Sequence, residues 1–129
     1  MSSIIVCVDD ERIVLESLRS SLGVEFRGIY TIESASDGQE ALDLLEELMG
    51  EGEEVVLLIT DWLMPKLKGD DLISKTHSIY PEMKKIMITG QADEAAIEKV
   101  RGLGGLDHLF FKPWDSKELT IKIKELLHK

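Results

Sequence analysis

Five short apolar runs alternate with five segments of helical periodicity, and this alternation constrains the fold more than any other feature of the chain. The apolar runs, each predicted to be a β-strand, are residues 4–8, 29–34, 55–60, 85–89 and 106–111. Strands that alternate with helices form crossover units, which place neighbouring strands parallel. We therefore predict one α/β domain with a parallel sheet covered by helices on both faces. The second run is more polar, which is typical of an edge strand.

Apolar side chains at helical spacing predict the face of each helix that packs on the sheet. These side chains are Val14, Leu15, Leu18 and Leu22; Ala41, Leu42, Leu45, Leu48 and Met49; Leu72, Ile73, Thr76, Ile79 and Tyr80; Ala96, Ile97, Val100 and Leu103; and Leu119, Ile123, Leu126 and Leu127. Gly23 is predicted to end the first helix. Ser36 and Gln39 resemble a capping box before the second helix, and Asp115 and Glu118 form a similar pair before the fifth.

The composition indicates one domain and argues against several functions. The 129 residues are close to the usual size of one domain, so we predict a single domain over residues 1–129. The formal net charge of −10 argues against binding nucleic acid, because phosphate contacts need Lys and Arg. The apolar runs are too short to span a bilayer, and no signal peptide is recognisable. The only cysteine, Cys7, is predicted to be buried and suits a reducing cytoplasm.

Reactive side chains follow four of the predicted strands, at the edge where open α/β sheets bind ligands. Asp9 and Asp10 follow the first strand, Asp61 follows the third, Thr89 ends the fourth and Lys112 follows the fifth. Each has an ordinary reading alone, since aspartates favour helix starts, threonines favour turns and lysines favour the surface. Their joint placement at one edge of the sheet predicts a functional site.

Three carboxylates in one pocket repel one another, and a divalent cation relieves this repulsion. Mg²⁺ takes oxygen ligands and commonly uses one or two carboxylates together with phosphate oxygens. We predict that Asp10 and Asp61 bind Mg²⁺ directly and that Asp9 acts through water. The backbone carbonyl of Leu63 is predicted to add a further ligand, and Mn²⁺ is expected to substitute for Mg²⁺.

A carboxylate beside a metal ion can also act as a nucleophile toward a phosphoryl group. Phosphoryl transfer needs mainly positioning and charge neutralisation, and Lys112 would supply a second cation. The Thr89 hydroxyl offers a hydrogen-bond donor for a phosphoryl oxygen. Each residue type therefore has a task in one reaction, and the set predicts an aspartyl phosphate on Asp61.

Six segments resemble the receiver domain of two-component response regulators, and the resemblance covers essentially the whole chain. They are Val8–Glu11, Ala35–Leu42, Thr60–Pro65, Gly69–Leu72, Met87–Gly90 and Phe111–Pro113. The resemblance implies a flavodoxin-like doubly wound sheet of five strands in the order 2-1-3-4-5. It also implies that Asp61 accepts a phosphoryl group from a phosphohistidine on a sensor histidine kinase or a histidine phosphotransfer protein, with Mg²⁺ required.

Further expectations follow from the same resemblance. Asp9 and Asp10 hold the metal, Thr89 moves toward the phosphoryl group, and Lys112 pairs with it. The bond between Lys112 and Pro113 is expected to be cis. Phosphorylation reshapes the face formed by the fourth helix, fifth strand and fifth helix, which contacts an output domain, an effector protein or a second receiver domain. The expected role is regulatory rather than enzymatic.

Two positions depart from the family pattern. Leu109 stands where receiver domains usually carry a Tyr or Phe that swings inward on activation, so coupling is left to Phe110, His108 or backbone shifts. Leu63 and Gln91 should flank the phosphoryl group. We hypothesise that the apolar Leu63 shields the phosphoaspartate from water and prolongs its lifetime, which a comparison of phosphate loss in wild type and Leu63→Asn would test.

Two other functions were weighed against this interpretation. A phosphatase of the haloacid-dehalogenase type also uses Mg²⁺ and a strand-end aspartate, but it generally carries Asp-x-Asp on its first strand. Here Asp9 and Asp10 are adjacent, and the chain has no room for a substrate cap. A receiver that signals only through protein contacts would not need the acidic, Thr89 and Lys112 set. Both alternatives fit the residues less well than a phosphorylated receiver.

Overall fold

The computed structural model describes residues 3–90, 94–102 and 104–127. Ten elements alternate along these residues. They are β1 (Ser3–Val8), α1 (Arg12–Glu25), β2 (Tyr30–Ala35), α2 (Gly38–Gly50), β3 (Glu54–Thr60), α3 (Gly69–Ile79), β4 (Lys84–Thr89), α4 (Glu94–Arg101), β5 (His108–Phe111) and α5 (Ser116–Leu127). The predicted alternation of five strands and five helices is confirmed, with boundaries shifted by one or two residues.

The five strands form one parallel sheet in the order β2-β1-β3-β4-β5. This is the order implied by the resemblance, and the polar strand β2 lies at an edge as predicted. The central strands end side by side, because Val8 pairs with Thr60, Thr60 with Met87, and Thr89 with Phe111. The residues that follow these strand ends therefore meet at the carboxyl edge of the sheet.

Alternate side chains of the central strands fill two apolar layers, one on each face of the sheet. Ile4, Val6 and Val8 of β1 belong to the layer that also contains buried side chains of α2 and α3. Ile5 and Cys7 belong to the opposite layer, with buried side chains of α1 and α5. Burial raises the pKa of the Cys7 thiol to about 12, so this cysteine is a neutral core residue as predicted.

Two predicted helix ends are wrong. Helix α1 continues past Gly23 to Glu25, and the buried Phe26 closes it through a hydrogen bond from its N–H to the carbonyl of Leu22 at 2.9 Å. Packing of Phe26 in the core thus outweighs the tendency of glycine to end a helix. At the start of α2 the cap is Asp37, whose Oδ1 accepts from the Glu40 N–H at 2.8 Å, while the Ser36 hydroxyl bonds the Glu40 carboxylate.

Other predictions for the helices vary in outcome. Asp115 caps α5 as predicted, because its Oδ1 accepts from the N–H groups of Lys117 and Glu118 at 2.8 and 3.2 Å. Ile79 was predicted to face the core but is 61% exposed, since α3 ends there and leaves its side chain uncovered. The predicted apolar face of α4 lies outside the described side chains. Among the described residues, no helix is both long enough and apolar enough to span a bilayer.

Candidate functional site

The carboxyl edge of the sheet brings two aspartates and one lysine into contact. Asp9 follows β1, Asp61 follows β3 and Lys112 follows β5. The Lys112 ammonium lies 3.0 Å from Oδ2 of Asp9 and 3.3 Å from Oδ2 of Asp61. Both carboxylates are nearly buried, with 1% of Asp9 and 7% of Asp61 exposed. Strand-end reasoning therefore predicted the centre of this group correctly in space.

A third carboxylate, which sequence reasoning did not single out, joins the group. Glu11 Oε1 lies 3.0 Å from the Lys112 ammonium. Carboxylate oxygens of Asp9, Glu11 and Asp61 all lie within 4.8 Å of one another. Asp10, predicted as a direct metal ligand, is exposed and is not part of this group. The motif Val8–Glu11 contained the signal for Glu11, but chemistry was assigned only to its two aspartates.

The other predicted site residues lie near the same edge. Thr89 is buried at the end of β4, and its carbonyl accepts from the Lys112 N–H at 2.8 Å. The bond between Lys112 and Pro113 is cis, as predicted. Leu63 follows Asp61 by two residues, and 44% of its surface is exposed. Gln91 lies outside the described residues, so its predicted place beside the phosphoryl group stays a prediction.

Backbone hydrogen bonds orient the two buried carboxylates. Oδ1 of Asp61 accepts from the N–H of Trp62 at 2.8 Å, and Oδ1 of Asp9 accepts from the N–H of Glu11 at 2.8 Å. The remaining oxygen of each carboxylate faces Lys112. The Asp61 N–H in turn donates to the Val8 carbonyl at 2.9 Å, which ties the end of β3 to the end of β1. The site is therefore built on rigid strand ends.

Two glycines allow the loop after Asp61 to pack closely on the site. A Cβ atom at Gly69 would lie 2.0 Å from the Asp61 carbonyl oxygen, and one at Gly38 would lie 2.5 Å from the Leu67 carbonyl oxygen. Only glycine permits such close approach of two backbones. The Gly69 N–H also donates to the Trp62 carbonyl at 2.7 Å. These contacts hold the start of α3 against Asp61 and the loop against the start of α2.

The charges of the site are unbalanced, which shifts the pKa values of its members. Burial, followed by the charge of Asp9, raises the pKa of Asp61, and burial raises the pKa of Asp9. Burial would lower the pKa of Lys112, but hydrogen bonds to Glu11 and Asp9 and the charges of Asp9 and Asp61 outweigh it and raise that pKa. Three carboxylates facing one ammonium leave a net negative site of hard oxygen donors, which suits Mg²⁺.

Leu109, at the position of the usual aromatic residue, packs beside the site. It is half-buried and belongs to a small apolar cluster with Trp62, Leu106 and the buried side chains of Ile73 and Met87. The indole Nε1 of Trp62 is buried and has no hydrogen-bond partner among the described residues. Trp62 thus contacts Asp61 through its backbone and shares an apolar cluster with Leu109 through its ring.

Comparison with known proteins identifies the family of this chain. The family model of the response regulator receiver domain matches residues 5–124. The chain belongs to this family. A solved receiver domain, from an HD domain-containing protein of Pseudomonas fluorescens Pf-5, superposes with a TM-score of 0.85 at 30% identity, covering 98% of this chain and 95% of that one. The fold class and the resemblance stated from the sequence are confirmed.

Two curated relatives are longer proteins that contain a similar receiver domain. The response regulator MprA of Mycobacterium bovis is 35% identical over 130 residues, which cover 100% of this chain and 52% of that protein. The sensor kinase CckA of Brucella abortus is 29% identical over 128 residues, covering 99% of this chain and 13% of that protein. The chain thus spans about half of one relative and a small part of the other.

Proposed function

We propose that this receiver domain is a phosphorylation-controlled signalling module of a two-component phosphorelay and that Asp61 is its phosphoacceptor. The observation that carries the proposal is the contact of the buried Asp61 carboxylate with Lys112 at 3.3 Å, inside a group of carboxylates. A nucleophile at this place has one cation already beside it. The rigid end of β3 also holds it in a fixed orientation, which is most of what phosphoryl transfer requires.

In the proposed reaction, a carboxylate oxygen of Asp61 attacks the phosphorus of a phosphohistidine on a sensor histidine kinase or phosphotransfer protein. The O–P bond forms while the N–P bond breaks, and the electron pair of that bond returns to the imidazole, which takes up a proton. Asp9, Asp61, the exposed Asp10 beside them and the Leu63 carbonyl would hold Mg²⁺, or Mn²⁺ in its place, and the ion would supply positive charge to the phosphoryl oxygens. Lys112 supplies a second positive charge to these oxygens.

Signal output follows from the new charge on Asp61. The Thr89 hydroxyl donates to a phosphoryl oxygen, and β4 and β5 move with it because Thr89 and Lys112 are joined by a backbone hydrogen bond at 2.8 Å. The face of α4, β5 and α5 then changes and regulates an output domain, an effector protein or a second receiver domain. The proposed domain spans residues 1–129 and regulates rather than turns over a substrate, apart from its own phosphoryl transfer and slow dephosphorylation.

The setting of this reaction is proposed to be the cytoplasm, with protein partners only. A net charge of −10 disfavours contact with nucleic acid or an anionic membrane through this domain. The free thiol of Cys7 is compatible with a reducing compartment.

Treatment with acetyl phosphate and Mg²⁺, followed by intact-mass measurement, tests the proposal. Wild type is expected to gain the mass of one phosphoryl group, which hydroxylamine removes and which chelation of Mg²⁺ prevents. Asp61→Asn should gain nothing, because an amide cannot act as the nucleophile. Asp71→Asn, the same change at an exposed carboxylate of α3, is the matched control and should be modified like wild type. Failure of wild type to gain mass would overturn the proposal.

A further inference from the structure

We infer that Glu11 is a positioning residue for Lys112, which it holds in the unphosphorylated protein and releases when Asp61 carries a phosphoryl group. This inference rests on the proposed function. It starts from the three contacts of the Lys112 ammonium, which lie at 3.0 Å to Asp9, 3.0 Å to Glu11 and 3.3 Å to Asp61. An ammonium has three donor hydrogens, and three carboxylates, of which Glu11 accepts a hydrogen bond, already compete for them.

A phosphoryl group on Asp61 would bring new anionic oxygens within reach of Lys112. Since the ammonium already faces three carboxylates, it must give up one present partner to engage the phosphoryl oxygens fully. Asp61 carries the new group and stays near Lys112 in either state. The choice of partner to be released therefore lies between Asp9 and Glu11.

Burial decides between these two carboxylates. The Asp9 side chain is 2% exposed, and the Glu11 N–H that donates to it at 2.8 Å fixes its position. Without Lys112, the buried Asp9 carboxylate would have lost its cation. The Glu11 side chain is 63% exposed and has no other contact of its carboxylate among the described residues. Water can solvate Glu11 after release, whereas it reaches Asp9 poorly. Lys112 therefore releases Glu11 at the lower cost.

Without this contact, Lys112 can bind the phosphoryl oxygens without first leaving Glu11, so the phosphorylation of Asp61 should be faster. We expect Glu11→Gln to raise the rate with acetyl phosphate by roughly two- to five-fold, the range that corresponds to a partly exposed ion pair. Glu11→Asp keeps the charge but shortens the side chain by one methylene, so its carboxylate falls short of Lys112. It should therefore resemble Glu11→Gln if contact matters, and wild type if only the local negative charge matters.

Glu16→Gln is the matched control for loss of one negative charge, since Glu16 lies on α1, the helix that follows Glu11. Glu16 pairs with Arg12 at 2.9 Å on an exposed surface and does not contact Lys112. Its rate should equal that of wild type. For every variant, Mg²⁺ affinity is first measured by tryptophan fluorescence, so that all rates are compared at saturating Mg²⁺. The backbone N–H of Trp62 donates to Asp61, which places one of the two tryptophans beside the site.

A double-mutant cycle with Lys112→Met provides the decisive readout. If Glu11 acts through Lys112, Glu11→Gln should lose its effect on rate when Lys112 is absent. The same cycle on the free energy of unfolding of metal-free protein should show coupling between the two residues, and this readout needs no phosphorylation. An unchanged rate in Glu11→Gln, a wild-type rate in Glu11→Asp, or a full effect in the Lys112→Met background would overturn the inference. Wild type that gains no phosphoryl group would overturn the proposed function as well.

Discussion

Two lysines at opposite ends of the sheet meet opposite surroundings. Lys112, at the carboxyl end, lies within 3.3 Å of three carboxylates. Lys85, at the amino end of β4, is fully buried, and its ammonium donates to the carbonyls of Met83 at 2.5 Å and Tyr80 at 3.2 Å. Burial disfavours the charge of both. At Lys85 the effect of burial is the larger one, and the pKa of Lys85 is lowered. At Lys112 the effect of the carboxylates is larger, and the pKa of Lys112 is raised.

The difference separates a lysine that supports the fold from one that can respond to a signal. The ammonium of Lys85 donates to backbone carbonyls of the turn between α3 and β4, which cannot gain or lose charge. Among the described residues, the one carboxylate that bonds this lysine, Asp107, accepts from its backbone N–H at 2.8 Å. The partners of Lys112 are carboxylates whose charge changes when one of them binds a metal or a phosphoryl group. An ion pair becomes responsive when its partners are several, charged and unequally exposed.

The largest expected effect is a lower free energy of unfolding when Lys85 is replaced, and its absence would contradict the comparison of the two lysines. Lys85→Ala should lower the free energy of unfolding by about 2–4 kcal/mol, because it removes a buried stem and two hydrogen bonds. Lys85→Met keeps the stem and should lose only about 1 kcal/mol. Urea unfolding measures both. Phosphorylation per folded molecule should stay at the wild-type level, and its loss in Lys85→Met would show that Lys85 is not merely structural.

A smaller effect, of opposite sign, is expected at the carboxyl end. Because folding raises the pKa of Asp61, its ionisation opposes folding, and this cost appears as the pH rises above the ordinary value of 3.8. Metal-free Asp61→Asn should therefore be more stable than wild type at pH 7, by on the order of 1 kcal/mol. The advantage should shrink as the pH falls toward 3.8.

Thermal unfolding at pH 4.5 and pH 7, with and without Mg²⁺, checks this prediction. Mg²⁺ should stabilise wild type more than Asp61→Asn, because an ion that binds the folded state adds its binding free energy to stability. A metal-free Asp61→Asn that is less stable than wild type at pH 7 would contradict the electrostatic account of the site.

The smallest effect on the free energy of unfolding is expected at a third lysine, which is exposed. This lysine shows how little an ion pair contributes to stability when water reaches it. Lys124 pairs with Glu25 at 3.2 Å, and the two side chains are 60% and 42% exposed. Lys124→Gln should change the free energy of unfolding by less than about 0.5 kcal/mol, since water competes with such pairs. Urea unfolding at low and high salt provides the measurement. If Lys124→Gln lost as much free energy of unfolding as Lys85→Ala, burial could not explain why the two lysines differ.

Much of the fold and the centre of the site could be predicted from residue pattern alone. Apolar alternation identified the strands, and parallel strands bring their carboxyl ends together, so Asp9, Asp61 and Lys112 could be placed at one edge before any coordinates. The strand order came from the family resemblance, because periodicity does not specify which strands are neighbours.

Glu11 and Lys85 show why the rest could not be predicted. Whether Asp10 or Glu11 turns toward Lys112 depends on the backbone angles between β1 and α1, which residue types do not determine. Lys85 reads as an ordinary polar start to a strand, and its burial depends on carbonyls that only the tertiary structure places nearby. Long flexible side chains escape pattern reasoning because their end atoms lie far from their Cα positions.

The glycine contacts around the loop after β3 restrict how this chain can change over evolution. Gly38 and Gly69 hold the loop at two points where any side chain would collide with a backbone carbonyl. Residues 62–68 are also tied to the core, because Met64 is buried in it and Trp62 and Leu67 pack against it. An insertion or deletion among these residues would displace Leu67 or Gly69 and carry Asp61 with it. The loop is therefore fixed in length, and a segment exchanged with another receiver domain must contain the same number of residues.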